Sequence, residues 1–208
     1  MADNQLGHEC VIEAMPFNHN DFYHRRLLRH VPSHCADALD VGCGSGTFAR
    51  RLARKAGWVD AIDASAEMID AARTRSQGAA NIEFRTGDLM DIEPARYDFV
   101  SCIATVHHLP SFPVALERLR DSLRPGGVLA VLGLYRERTV SDYALAAAAA
   151  PVNLVLNALS RKDHGVSAPV KDATLTFAEI RADADRVLPG HRVRRHLFWR
   201  YSLIYRKP

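Results

Sequence analysis

Short apolar runs alternate with amphipathic stretches along most of the chain, and each run ends at a polar or glycine-rich tip. Leu39 and Val41 close the first run, which turns at Gly42-Cys43-Gly44-Ser45-Gly46. Thr47 opens a stretch with Phe48, Leu52 and Ala56 on one face and Arg50, Arg51, Arg54 and Lys55 elsewhere, the spacing of a helix. Residues 58–62 read as a second strand ending at Asp63, with Ser65 as the cap of a helix that aligns Ala66, Ile69 and Ala72. Asp60 falls at an alternate position of that strand and is expected to face solvent. Residues 81–85 alternate polar and apolar, a third strand that ends in Thr86-Gly87-Asp88-Leu89. A fourth strand spans 97–104 and leads into Thr105-Val106-His107-His108-Leu109-Pro110. The next helix places Phe112, Leu116, Leu119 and Leu123 on one stripe. It is predicted to stop at Pro125-Gly126-Gly127, a sharp turn into the apolar strand 128–132.

The flanks differ. Residues 1–16 lack a pattern, and 1–20 read as a flexible arm, with a single folded domain predicted from 21 to 208. Residues 21–31 carry Leu27, Leu28 and Val31 on one helical face, capped by Asn20 or Asp21 and ended by Pro32. Between about 136 and 172 the pattern predicts an insertion. Its part from 143 to 159 is nearly uncharged, contains five consecutive alanines, and is broken at Pro151. It is short for a membrane span and interrupted by Asn153 and Asn157. Two helices lying as a lid over a substrate mouth are expected, with a second copy of the chain as the alternative partner of that apolar surface. Thr176-Phe177-Ala178-Glu179 is a capping box, and Phe177, Ile180, Ala184 and Val187 give its helix an apolar face. Two strands, 192–199 and 201–205, read as a terminal antiparallel hairpin. Strands alternating with helices predict an α/β fold with a mostly parallel sheet.

Composition narrows this little. A chain of 208 residues with 48% hydrophobic content is long enough for one α/β domain with a full core. A net charge of +3 does not by itself imply nucleic acid. The tail's arginines also suit an edge strand that resists aggregation. The four cysteines show no C-x-x-C spacing, so a reducing compartment is expected and no disulfide framework. The first residues have neither a basic nor an apolar signal region, and a cytoplasmic location is the expectation. No spacing of metal ligands appears.

The chemistry sits at the first turn. A dinucleotide site has the spacing G-x-G-x-x-G. Here Gly42, Gly44 and Gly46 give G-x-G-x-G, with Thr47 where the third glycine would be. Asp40 would repel a pyrophosphate but attract an ammonium group. The run Leu39-Asp40-Val41-Gly42-Cys43-Gly44-Ser45-Gly46 resembles the first motif of the class I S-adenosylmethionine (SAM) dependent methyltransferases. That resemblance covers residues 21–207, most strongly 38–132. It implies a Rossmann-like seven-stranded sheet with an antiparallel C-terminal strand and helices on both faces. It also implies SAM as cofactor and S-adenosyl-L-homocysteine as product.

Carried onto this sequence, the resemblance implies that Asp40, Gly42, Gly44 and Gly46 surround the methionine part. Asp63 and Ala64 would lie at the ribose, and Met68, Asp88, Leu89 and Ile103 along the adenine and the remaining cofactor wall. His19 and Tyr23, on the helix before the first strand, become candidates for the acceptor pocket. His107 and His108 follow the fourth strand, where donor and acceptor meet. An imidazole there can take a proton from an acceptor hydroxyl. His107 is expected to face the pocket and His108 to be structural. The Asn-Pro-Pro-Tyr and Pro-Cys motifs of enzymes acting on nucleobases are absent, which argues for a small-molecule acceptor and against nucleic acid. Two other classes remain open at this stage: a SAM-binding protein without catalysis, and a Rossmann-type oxidoreductase, disfavoured by Thr47.

Overall fold

The computed structural model describes residues 19–106, 111–136, 173–197 and 199–208, with side chains from Tyr23 onward. The arm before residue 19, the stretch His107 to Pro110 and nearly all of the expected insertion lie outside the described residues.

Seven strands form one sheet: β1 (Cys35–Val41), β2 (Ala56–Asp63), β3 (Ile82–Thr86), β4 (Tyr97–Ile103), β5 (Leu123–Leu134), β6 (Arg192–His196) and β7 (Arg200–Arg206). Their spatial order is β3-β2-β1-β4-β5-β7-β6. Neighbours from β3 to β5 run parallel, and β7 runs antiparallel to both β5 and β6. The helices among the described residues are α1 (His19–Leu27), α2 (Thr47–Leu52), α3 (Ala66–Arg75), α4 (Phe112–Asp121) and α5 (Phe177–Val187).

Alternation along the strands divides the core in two. Ala38, Val59, Ala61, Phe99 and Ala130 pack with Leu27 of α1, Phe48 and Leu52 of α2 and Ile69 of α3. Leu39, Val41, Val100, Leu129 and Val131 pack with Leu116 of α4 and Ile180 of α5 on the opposite face. Helices therefore cover both faces, as a parallel sheet requires. The strand order reverses between β1 and β4, and ligands bind such sheets beyond the carboxyl ends at that switch point.

Three expectations need correction. Asp60 does not face solvent. It is fully buried, because the sheet has no solvent face for an alternate position to use. Leu123 is a strand residue paired with Tyr97, not the end of α4. The register then jumps to Phe99↔Val128, so Pro125-Gly126-Gly127 is a bulge inside β5 rather than a turn before it. The third concerns α2, which ends at Leu52, leaving Ala56 in β2 opposite Cys35. The helix expected over 21–31 is α1 followed by a 3-10 turn at Leu28–His30. The capping box on α5 forms as expected, with Thr176 and Glu179 bonding reciprocally. Among the described residues no helix is long and apolar enough to cross a membrane.

Candidate cofactor and acceptor site

The turn after β1 is locked from two sides. Gly42 and Cys43 both donate their N–H groups to the Ile62 carbonyl, at 2.8 and 3.0 Å. Gly42 has φ +68°, and a Cβ there would fall on the Thr105 side chain. Gly46 has φ +77°, and a Cβ there would stand 2.9 Å from the Phe84 ring. At these two positions the backbone conformation and the neighbour together require glycine. Thr105 follows Ala104, itself left-handed at φ +53°. The Thr105 hydroxyl donates to Ile103 O at 3.0 Å and lies 3.4 Å from Gly42 O. The glycine turn and the loop after β4 are thus packed directly together.

Asp63, at the tip of β2, organises the other side. Its Oδ2 accepts from Gly44 N–H at 2.8 Å and its Oδ1 from Ser65 N–H at 2.9 Å. Its carbonyl accepts from Gly87 N–H at 3.1 Å. One residue therefore joins the turn, the start of α3 and the end of β3. Ser65 caps α3 through Met68 N–H, and the Met68 methyl lies 3.5 Å from where a Gly44 Cβ would stand. Asp88 is exposed and accepts from Met90 N–H at 2.8 Å. Leu89 is buried in the α4-side core. Ile103, at the tip of β4, is half-buried, and Ala64 is exposed.

Asp40 behaves differently from every other carboxylate here. It is 1% exposed on the α2 face of β1. Its Oδ1 accepts from the Ser101 hydroxyl at 2.8 Å, while its Oδ2 is buried with no hydrogen-bond partner. Burial pushes its pKa up to about 7. The Ser101 hydrogen bond opposes that shift, the nearby Asp63 carboxylate adds to it, and the Ala49 amide opposes it. A buried carboxylate oxygen with spare lone pairs is a place for a cation or a donor.

A second feature lies across the switch point. A cavity of about 190 Å³ opens between the N-terminal ends of α4 and α5 and the ends of β5 and β7. Val106, Phe112 and Leu134 form apolar walls, and Ser111, Asp183 and Tyr201 bring polar atoms. Val106 and Ser111 are the described residues on either side of the His107-His108 stretch. Tyr201 fits only because residue 133 is glycine, where a Cβ would stand 2.5 Å from its ring. Burial raises the Tyr201 pKa further above its ordinary value, so the hydroxyl stays protonated and has a proton to donate.

Of the residues singled out from sequence, Asp40, Gly42, Gly44, Gly46, Asp63 and Met68 are brought together. Tyr23 is committed elsewhere. Its hydroxyl donates to Leu197 O at 3.0 Å and its ring stacks on His196 at 5.0 Å. Only the backbone of His19 is described. Sequence reading missed Ser101, Thr105, Asp183 and Tyr201. Ser101 alone carried a signal, a single hydroxyl inside the apolar run of β4.

The comparisons with known proteins bear on the family and the fold. Residues 38–127 match a family described as a methyltransferase domain. An uncharacterised methyltransferase of Mycobacterium tuberculosis is 33% identical over 196 residues, covering 93% of this chain and 98% of that one. A ubiquinone biosynthesis O-methyltransferase of Xylella fastidiosa is 30% identical over 153 residues, covering 72% of this chain and 61% of the relative. The fold matches a SAM-dependent methyltransferase from Aquifex aeolicus with a TM-score of 0.61 at 19% identity, covering 89% of each chain.

Proposed function

The chain belongs to the class I SAM-dependent methyltransferases, and from that membership we propose that it methylates an oxygen of a small, largely apolar acceptor. The observation that carries this reading is the cavity beside the tips of β4 and β5, flanked by both ends of the His107-His108 stretch. Its volume is below the roughly 300–1,000 Å³ of sites for drug-sized ligands, which favours a small acceptor. The Xylella relative is by its name an O-methyltransferase, which favours oxygen.

The residues around β1 fit the cofactor. The partnerless Asp40 Oδ2 suits an ammonium group, and the glycine turn leaves its backbone open to close approach. Asp63 uses one lone pair on each oxygen for Gly44 and Ser65, which leaves acceptor capacity for ribose hydroxyls. Asp88, after the next strand, would stand at the adenine end in this reading. When bound, SAM supplies a methyl group already activated on a sulfonium. The protein then has to hold donor and acceptor close and aligned, which can contribute about 7–11 kcal/mol. In this reading His107 takes the acceptor proton, His108 supports the loop, and the Tyr201 hydroxyl orients the acceptor oxygen.

The test is release of S-adenosyl-L-homocysteine across a panel of phenols, hydroxy acids, carboxylic acids and amines. Turnover confined to oxygen acceptors is expected, and turnover of amines alone would overturn the reading. His107→Ala should lower turnover by about 10²–10⁴-fold with SAM affinity unchanged. At saturating SAM, where Asp40 ionisation no longer limits binding, it should also remove the acidic limb of the pH–rate profile, near the ordinary histidine value of about 6.5. Turnover within about twofold of wild type would leave positioning alone as the mechanism.

A further inference from the structure

Two segments far apart in the chain, 22–36 and 186–208, contain no aspartate or glutamate. They hold ten of the 27 basic residues, leaving 17 basic against 24 acidic residues elsewhere, a net of −7. The weak overall charge of +3 therefore conceals a strong segregation. The fold brings these two segments together. Tyr23 of α1 stacks on His196 of β6 and bonds to Leu197 in the turn that follows. The β6–β7 register puts Arg192, Arg194 and His196 opposite Ile204, Ser202 and Arg200. Ile204 packs into the core on the α1 side, so these β6 side chains share that face.

Arg26, Arg29 and His30 are exposed at the end of α1 and the turn after it, and Arg192 and Arg194 are exposed on β6. Among the described residues none of these five is in an ion pair. They are close enough to act on one another. After burial, the charges of Arg26, Arg192 and Arg194 hold the His30 pKa below its ordinary value, and Arg26 and Arg194 do the same at His196. Like charges gathered with no counter-charge among the described side chains cost stability, and a partner can relieve that cost.

The shape of the patch selects the partner. These cations are exposed on a sheet edge and its adjoining helix, so they suit an extended array of anions better than one enclosed ion. Among the described side chains the exposed large apolar ones are Trp58, Met90 and Val114, none of which belongs to α1 or β6. This face thus presents no described platform for stacking bases and no anchor for a bilayer. Arginines on an edge strand do match a row of carboxylates, because guanidinium pairs with carboxylate in a two-pronged geometry. Among the described residues the strand order also ends at β6, which leaves one side of its backbone without a strand partner there. We propose that the α1–β6 face docks an acidic segment of a partner protein, separate from the methyl-transfer site.

The test is fluorescence anisotropy of the full chain with three probes: a labelled Asp/Glu-rich peptide, a single-stranded oligonucleotide and phosphatidylglycerol vesicles. The peptide should bind more tightly than either other probe, and weaken as salt rises. Arg192→Glu with Arg194→Glu should weaken it by about tenfold or more, and Arg26→Glu should weaken it less. SAM affinity should stay at the wild-type value in both variants, and the melting temperature should hold or rise, since these side chains are exposed and their reversal relieves like-charge repulsion. Arg75→Glu, on the exposed end of α3, should leave peptide binding unchanged. The His30 ring should titrate at a higher pH in the peptide complex, because carboxylates offset its arginine neighbours. Tighter binding to the oligonucleotide or to vesicles would overturn the proposal. So would peptide binding that survives the double reversal.

Discussion

Asp40 and Asp60 lie on neighbouring strands, one register step apart, and both are buried. Leu39 pairs with Asp60, and Asp40 pairs with Ala61, so the two carboxylates project from opposite faces of the sheet. Asp60 is saturated. Its Oδ1 accepts from Trp58 Nε1–H at 2.9 Å and its Oδ2 from the Tyr97 hydroxyl at 2.7 Å. The guanidinium groups of Arg96 and Arg85 stand at 3.2 and 3.7 Å from the same oxygen. Asp40 has one side-chain donor, Ser101, and an Oδ2 with no hydrogen-bond partner. A buried charge is tolerable when every lone pair is met, and such a group serves the fold. One left short by the protein is, in the proposed function, the group held for the ammonium of the cofactor.

The comparison breaks most sharply by truncating the saturated member. Asp60→Ala strands the Tyr97 hydroxyl and removes the shared counter-charge of two arginines, and should cost about 3 kcal/mol in urea unfolding. SAM affinity of the folded fraction should not change. Asp40→Asn should do the reverse. It should lower SAM affinity by about 2 kcal/mol, some thirtyfold, while stability holds or rises because a buried charge is gone. Loss of stability with affinity intact would make Asp40 a second Asp60.

The pH dependence sharpens the contrast further. The folded Asp40 carboxyl titrates near 7, above the ordinary 3.8, so the folded state holds its proton more tightly than the unfolded chain. Its contribution to stability is present below about pH 4 and is lost as pH rises toward 7. SAM affinity should move oppositely, rising to about pH 7 and then levelling, because an ammonium needs the ionised form. Asp40→Asn should flatten both profiles. His24 and His196, held down to about 3 and about 4 chiefly by burial, act with the other sign. Their stability is complete above about 6.5 and is lost as pH falls. The smallest effect is expected for Ser101→Ala, about 1 kcal/mol, read as a further rise of the Asp40 pKa by carboxyl infrared absorption.

The same pair marks what could be read from the chain alone. The glycine turn, Asp40 and Asp63 were legible because strand, turn and helix follow each other within a few residues, so local spacing carries the geometry. Asp60 was misread because alternation assigns one face to water, and here helices lie on both. Leu123 was misread because a bulge absorbs Arg124 to Gly127, and a bulge leaves the apolar pattern of a helix end. Tyr201, Asp183 and Ser111 were out of reach. They come from three separate elements, and only the sheet order makes them neighbours.

That order has a consequence for how the protein is made. β7 lies between β5 and β6, yet the ribosome delivers β5 first and β6 before β7. The Val128-to-Leu134 edge of β5, which β7 will cover, therefore waits through the synthesis of everything from Tyr135 to Trp199. β6 has no strand to join until β7 arrives. A nascent chain stopped anywhere in that interval presents an apolar strand with open backbone groups, the kind of edge that recruits other chains. Truncations ending before Arg200 should accumulate as aggregates rather than as smaller folded domains.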